Sequence, residues 1–377
     1  MRLLELHRSL LSDQASQEAY RKALSQTIRG GEAVLDLGTG TGVHAVFAAR
    51  AGARVVYAVD QLQFVEVARK VCEVNGCLDR VRFFHGAAEE IELPEKVDVI
   101  VAHHGLPVLL ELLPAARERF LKPGGTIIPY ATEMFCAPLQ SEAARNQAIA
   151  FWEQPRYDMN FSPLRAYAVN DMLEWTIDPQ ELLGEAAALG VMNFSNLHNA
   201  AFSGKAATII RRPGVLHGLG MWFVQRLVAD ITISTAPPCS LPTRLWSNDF
   251  LPLEEALPVE PGEQVNIELY TGSGGWGRTW KWQVEVLGAR GKIRKRFSHA
   301  GFSGHLVTKE MLRKQSPEYQ PSLTPRGQVV RFVLEACEGA RPLRWIEEEV
   351  VKRFPGVFST PGEAAGLVAR VVSRYTR

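Results

Sequence analysis

Residues 34–42 read VLDLGTGTG, a short apolar run that ends in three alternating glycines. Followed by the helical stretch 43–51, this pattern predicts a buried strand, a tight turn and a helix. Glycines at such a turn let backbone N–H groups approach a ligand closely, because no side chain stands in the way. The next apolar run, VVYAVD at residues 55–60, predicts a second buried strand. Together these segments predict a strand–helix–strand unit with a ligand site at its turn.

The alternation of strands and helices continues and then stops. Runs of each kind follow one another up to about residue 129, which predicts a parallel sheet covered by helices. Short segments rich in Thr, Val, Ile and aromatic residues then take over until about residue 305, interrupted by helical composition over residues 163–190. From Thr324 onward the chain turns helical again.

The sequence therefore predicts an α/β fold in three domains. These are a Rossmann-like domain at 1–130, a β-barrel-like domain at 131–305 with a helical arm at about 163–190, and a small helical, winged-helix-like domain at 306–377.

Composition narrows the class of protein. The 377 residues carry 42 Lys plus Arg against 41 Asp plus Glu, so no global field draws the chain to nucleic acid or an anionic membrane. Five cysteines without a Cys-x-x-Cys pair argue against disulfides and zinc. Without a signal peptide or an apolar run of about 18 residues, we expect a cytoplasmic protein with no membrane partner.

The glycine pattern favours one cofactor class over another. Dinucleotide sites typically have the pattern G-x-G-x-x-G. Here Gly38, Gly40 and Gly42 alternate instead, so NAD is a minor alternative. With Asp36 before the loop and Asp60 ending the second strand, the segment resembles class I methyltransferases that use S-adenosylmethionine. That resemblance implies that Asp60 accepts hydrogen bonds from both ribose hydroxyls and that Asp36 organises the loop and the methionyl amine side. The alternative is an ordinary turn with solvated acids.

Longer segments resemble the protein arginine methyltransferases over about residues 10–300. They are VLDLGTGTGVHAVFAARAGARVVYAVD at 34–60, GAAEEIELPEKVDVIVA at 86–102 and LKPGGTIIP at 121–129. The resemblance implies that the Ala88 N–H donates to the adenine ring and that Glu89 accepts from its exocyclic amine. A solvated residue at a helix start is the alternative for Glu89.

The second domain carries the same resemblance. YDMNFSPLR at 157–165 is similar to the family's dimerisation arm, and LPTRLWSNDFLPLEEALPVEPGEQV at 241–265 to its barrel signature, with Trp246 and Phe250 matching. A homodimer and a cis peptide at Ile128–Pro129 are implied.

The acceptor side departs from the family. Its members clamp the substrate guanidinium with two glutamates, whereas this chain reads AHHGLPVLLELL at 102–113. With one deletion, His103 falls on the first glutamate and Glu111 on the second; Leu245 replaces a histidine, and Ser16 an arginine that holds the donor's carboxylate. Guanidinium is always charged and favours paired carboxylates, so an amide, carboxylate, imidazole or hydroxyl acceptor is as consistent as arginine.

His103 and Glu111 are the predicted catalytic residues. An imidazole titrates near about pH 6.5, which suits a general base, although His103 and His104 could simply cap the strand end. Glu111 lies within an apolar run, which favours a catalytic or substrate-holding role over a solvated charge. Methyl transfer needs no metal, and His299 and His305 lie apart, so no metal site is expected.

The C-terminal segment 317–356 resembles the helical half of PqqD-like domains, which bind leader segments of ribosomally made peptides. The sheet half is faint, with residues 305–308 alone reading as a strand. A structural helical cap and DNA binding are alternatives, although 11 Lys/Arg against 7 Glu in 313–377 is a small excess. The favoured hypothesis is a peptide or protein methyltransferase in ribosomal peptide natural product maturation. A non-catalytic peptide-binding scaffold and a nucleic-acid-associated methyltransferase remain alternatives.

Overall fold

The computed structural model describes residues 3–198, 200–238, 247–274, 277–288, 291–301, 308–339 and 341–376. The chain divides into two compact units, residues 1–306 and 307–377. The predicted domains 1–130 and 131–305 thus lie within a single compact unit.

The first part of that unit is a parallel sheet with helices around it. Its elements are α1 (Leu3–Ser12), α2 (Gln14–Thr27), β1 (Ala33–Leu37), α3 (Val43–Arg50), β2 (Val55–Asp60), α4 (Val65–Val74), β3 (Val81–His85), β4 (Val97–Val101), α5 (Leu106–Phe120) and β5 (Leu121–Ile128). The strand order is β3-β2-β1-β4-β5, and β1 is buried along its whole length between parallel neighbours. The order reverses beside β1, and ligands of such sheets bind at the carboxyl ends of the strands at that point. The predicted α/β fold is confirmed.

The second part is antiparallel. Its strands are β6 (Ala131–Leu139), β7 (Leu173–Trp175), β8 (Ala187–Asn193), β9 (Phe202–Ile209), β10 (Gly214–Val228), β11 (Ile231–Ser234), β12 (Asn248–Val259), β13 (Gln264–Gly274), β14 (Gly277–Leu287) and β15 (Ile293–Ala300). They form the sheets β7-β12-β10-β6-β8, with β11 on β10, and β15-β14-β13-β9. A continuous apolar core joins them to the parallel sheet, with Leu35 and Ile100 in the same cluster as Leu216 and Trp282. The Ile128–Pro129 peptide between the two parts is cis, as the resemblance implied.

The segment 163–190, predicted to be a helical arm, is helical only in part. Helical turns precede that range in α6 (Glu142–Arg145), a π turn (Asn146–Ala150) and α7 (Phe151–Glu153). The helical turns within it or at its start are only the short α8 (Arg165–Ala168) and two 3-10 turns (Ser162–Leu164 and Pro179–Glu181). Residues 173–175 instead pair with β12, and Leu183, expected on an unpartnered apolar face, is fully buried in the core. Pairing with the sheet overrides the local helical propensity of this segment.

The regular elements described in the second unit, over residues 308–339 and 341–376, are all helices. This unit contains α9 (Lys309–Lys314), α10 (Pro325–Glu338), α11 (Leu343–Arg353) and α12 (Pro361–Tyr375). Valines and an isoleucine from α10 to α12, among them Val333, Ile346 and Val368, form its own core. The expected strand at 305–308 lies outside the described residues except for Thr308, whose side chain caps α9. No helix in the described ranges combines the length and apolarity needed to cross a membrane.

Candidate active site

The glycine loop curves from the end of β1 into α3 and is tied to the neighbouring strand. The N–H groups of Gly38 and Thr39 both donate to the carbonyl of Val59 at 2.9 Å. Gly38 and Gly40 have φ values of +77° and +51°, in the left-handed region that L side chains rarely adopt. Gly42 caps α3. The loop is thereby held against the carboxyl end of β2.

Asp36 lies beneath the loop. Its side chain is 1% exposed and accepts a hydrogen bond from the Thr39 hydroxyl at 2.6 Å. Burial raises the pKa of Asp36 to about 7. This position allows Asp36 to fix the shape of the loop from below.

Asp60 ends β2 and is half-buried beside the loop. One carboxylate oxygen accepts the Gly40 N–H at 2.9 Å and the other the Leu62 N–H at 2.8 Å. Each oxygen of a carboxylate can accept two hydrogen bonds, so each keeps capacity for a hydroxyl donor. The Gly86 N–H donates to the Asp60 carbonyl at 2.9 Å, which brings the start of the predicted adenine segment to the predicted ribose residue.

The predicted adenine residues sit on a turn after β3. Ala88 is buried, and Glu89 is exposed. The Arg119 guanidinium donates to the Ala88 carbonyl and, at 2.8 Å, to the Ile91 carbonyl. The sequence reasoning missed Arg119, because nothing local links α5 to this turn.

His7 of α1 is a second residue that the sequence reasoning missed. Its imidazole stacks on Phe64, with ring centroids 4.2 Å apart and planes 10° from parallel. A Cβ built on Gly40 would lie 2.6 Å from this ring, so α1 places an imidazole directly on the loop. Burial lowers the pKa of His7, against the attraction of Asp60.

His103, the first predicted catalytic residue, is packed behind the loop against α2 and α3. Its Nε2 is hydrogen-bonded to the Ser16 hydroxyl at 3.0 Å, and its ring centroid lies 4.4 Å from that of Tyr20 and 5.1 Å from that of His44. Burial holds the pKa of His103 well below its usual value, and His44 and His104 add to this. The two positions that the resemblance marks as departures, 16 and 103, therefore contact each other.

His104 points the other way and lies on the glycine loop. Its Nε2 is 3.1 Å from the Leu37 carbonyl oxygen, and a Cβ built on Gly38 would lie 2.1 Å from that nitrogen. Burial lowers the pKa of His104, while the hydrogen bond to Leu37 and the charge of Asp60 oppose this.

Glu111, the second predicted catalytic residue, projects from α5 towards the antiparallel sheet. Its carboxylate accepts the Ser273 hydroxyl at 2.9 Å and lies 3.4 Å from the guanidinium of Arg278. The Glu111 side chain is 53% exposed and the Arg278 side chain only 7%. The contacts described for His103 and Glu111 involve different elements, so the two do not form a pair here.

The remaining residues named in the sequence analysis add little to the description of the site. Leu245, Trp246 and His305 lie outside the described residues. His299 stacks on Trp282, with ring centroids 5.2 Å apart. In the described ranges, no group of three or more His, Cys, Asp or Glu could hold a metal ion.

Two family models match consecutive parts of the chain. Residues 21–129 match ribosomal protein L11 methyltransferase (PrmA), and residues 130–282 match the arginine methyltransferase oligomerization subdomain. Among curated relatives, protein arginine N-methyltransferase 1 of Schizosaccharomyces pombe is 30% identical over 273 residues, covering 69% of this chain and 79% of its own. Probable protein arginine N-methyltransferase 6.1 of Oryza sativa subsp. indica is 32% identical over 237 residues, covering 58% of this chain. This chain spans 61% of the length of that rice relative.

Solved structures of protein arginine methyltransferases resemble this chain in fold. Protein arginine methyltransferase 10 of Arabidopsis thaliana has a TM-score of 0.68 at 25% identity, covering 78% of this chain and 97% of that one. The Trypanosoma brucei protein arginine methyltransferase 1 enzyme–prozyme complex with AdoHcy has a TM-score of 0.71 at 24% identity, with the same coverage. The chain belongs to the protein arginine methyltransferase family.

Proposed function

We propose that this member of the protein arginine methyltransferase family is an S-adenosylmethionine-dependent methyltransferase that acts on a peptide or protein. The observation that carries the proposal is the assembly of the glycine loop, Asp60 and Gly86 at the carboxyl ends of neighbouring strands. Backbone N–H groups and a carboxylate with free acceptor capacity are the groups that a nucleoside with two ribose hydroxyls requires.

The residues present fit this donor. Asp60 would hold the ribose and the turn at Ala88 and Glu89 the adenine, while Asp36 would keep the loop in shape. When bound, the donor supplies a methyl group already activated by a sulfonium, so the protein has only to position the acceptor and take its proton.

Calorimetry tests the donor assignment. Replacing Asp60 with Ala should weaken S-adenosylmethionine binding by roughly 2–3 kcal/mol, the scale of hydrogen bonds to a charged group. Asp79→Ala, an exposed acid of the same domain, is the matched control and should bind as the parent does. Unchanged affinity in Asp60→Ala would remove the ribose assignment, and no binding by the parent would favour the scaffold alternative.

We propose further that the substrate is a precursor peptide of a ribosomal natural product, delivered by residues 307–377. Support comes from the family models, which end at residue 282, and from the separate helical core of the second unit. Removing 308–377 should leave donor binding intact and raise the apparent KM for a precursor co-expressed from a neighbouring gene. Equal turnover by the truncated chain would contradict leader recognition, and salt-sensitive binding of duplex DNA by the full chain would favour the nucleic-acid alternative.

A homodimer in the cytoplasm completes the proposal. A cavity of about 290 Å³ lies among the helical turns of residues 147–173, lined by Trp152, Leu164, Tyr167 and Met172 among others. It belongs to the segment that matches the oligomerization subdomain. The described cysteines are free thiols, which suits a reducing compartment. A monomer by light scattering at micromolar concentration would count against the dimer.

A further inference from the structure

We propose that His104 takes the proton of the methyl acceptor, and that this acceptor is an uncharged side chain bearing a lone pair and an N–H or O–H proton, such as imidazole or hydroxyl. The proposal rests on the methyltransferase function above and names the chemistry of its acceptor. It shifts the proton acceptor from His103 to the neighbouring residue.

Position favours His104. It follows β4, directly across from the end of β1, and its ring lies on Gly38 so closely that a Cβ there would come within 2.1 Å of Nε2. This is the point where the strand order of the sheet reverses, so His104 stands at the edge where such sheets bind their ligands. His103 turns instead toward Ser16 and Tyr20.

The hydrogen bond to Leu37 sets the tautomer of His104. A carbonyl oxygen can only accept, so the nitrogen 3.1 Å from it, Nε2, carries the hydrogen. In a neutral imidazole the other nitrogen, Nδ1, then has the free lone pair. The side chain is therefore prepared as a proton acceptor at Nδ1.

Burial favours the neutral form of His104 near pH 7. Burial lowers its pKa, and the Asp60 carboxylate on β2 opposes this. A positive charge on His104 would also lie close to His44 of α3 and to His103, and it lowers the pKa of both. A neutral imidazole with a lowered pKa is a weak base, which suffices only for a proton that becomes acidic as the acceptor is methylated.

The carboxylate side of the site points to the same acceptor class. Glu111 is engaged by Arg278 and Ser273, and the position of the first family glutamate is an imidazole. A guanidinium is always charged in proteins. Here it would meet one carboxylate, Glu111, that already contacts Arg278 and Ser273, instead of two unpaired carboxylates. An uncharged acceptor needs neither carboxylate.

The step balances without another reactant. The acceptor's lone pair forms a bond to the methyl carbon while the methyl–sulfur bond breaks, and its electron pair stays on sulfur. The N–H or O–H proton moves to Nδ1 of His104, which becomes imidazolium and later releases the proton to water.

Nuclear magnetic resonance tests the tautomer in the full-length protein without substrate. Nitrogen-15 spectra of the histidine rings, with His104 identified by its loss in His104→Gln, should show protonated Nε2 and bare Nδ1 near pH 7. Protonation at Nδ1, or a charged ring at that pH, would overturn the proposal.

Kinetics and product analysis test the role. The probe is a synthetic peptide with one His, one Ser, one Tyr and one Arg on a Gly/Ala background, at high concentration. His104→Gln should lower kcat for methylation about 100-fold or more, the scale of general-base catalysis, and flatten the acid limb of the pH profile. The exposed His198→Gln is the control and should match the parent.

Each result decides one claim. Methyl groups located on His, Ser or Tyr support the acceptor class, and methylarginine or no product overturns it. Full turnover by His104→Gln with normal donor binding overturns His104 alone, whereas absent donor binding by the parent overturns the methyltransferase function.

Discussion

The predicted donor half and the predicted acceptor half of the site are built in different ways. The donor half depends on backbone: glycines with positive φ, N–H groups on the Val59 carbonyl, and a strand-end carboxylate that accepts the Gly40 N–H. The acceptor half depends on side chains from distant segments, with His103 on Ser16, 87 residues away, and Glu111 on Arg278, 167 residues away. The backbone geometry depends on a short stretch of sequence and tolerates few substitutions, whereas the side-chain contacts can be substituted one pair at a time.

Among variants at Gly38, His44 and Glu111, the largest effect is expected from Gly38→Ala, which disrupts the predicted donor half. The left-handed conformation costs a non-glycine residue about 1–2 kcal/mol, and the new Cβ would meet the His104 ring at 2.1 Å. Because the strain and the clash both oppose the loop shape that binds the donor, donor affinity should fall by about 2 kcal/mol in calorimetry. Gly76→Ala has a similar φ of +69° and nothing within 4 Å, so it should lose stability but bind the donor normally. Equal donor binding by both variants would mean that the loop tolerates a side chain.

A smaller effect concerns the buried histidines behind the loop. Burial, and then the charge of His104, lower the pKa of His44 to about 3. The pKa of His44 in the folded protein lies below its value in the unfolded chain. The stability that neutral His44 contributes is therefore fully present above about pH 6.5 and is lost as pH falls toward 3. Between pH 7.5 and 5 the parent should lose about 1–2 kcal/mol more than His44→Gln in urea unfolding. Asp36, with a raised pKa, changes stability in the opposite direction in both proteins, so it cancels in the comparison. The same pH slope in both proteins would contradict a neutral buried His44.

The smallest effect is expected from Glu111→Gln. The Glu111 side chain is 53% exposed, so losing its ion pair with Arg278 should cost at most about 1 kcal/mol in urea unfolding. Donor affinity should stay unchanged, and methyl transfer should change less than about tenfold. A larger loss of transfer with unchanged stability would show that Glu111 holds or activates the substrate, as its position in the sequence predicted.

The sequence predicted what depends on local pattern. The α/β class, the glycine loop and the strand-end acid follow from periodicity and spacing, and the fold class is confirmed. The predicted arm at 163–190 is helical only in part, because residues 173–175 pair with β12. His7 and Arg119 were missed, since each reaches the site from a helix with no motif of its own.

The roles of the site residues stay predictions, and the shift from His103 to His104 shows why. Adjacent residues at a strand end face opposite directions, so a sequence pattern alone does not say which imidazole lies on the glycine loop. The contacts to Ser16 and to Leu37 make that distinction.

The central claim is that the chain keeps the family's donor half while its acceptor half no longer suits guanidinium. Tandem mass spectrometry of a histone-like, arginine-rich peptide, incubated with S-adenosylmethionine and protein shown by calorimetry to bind that donor, tests it most directly. We predict no dimethylarginine, because His103 and the engaged Glu111 replace the paired carboxylates. Robust dimethylarginine on that peptide would contradict the account.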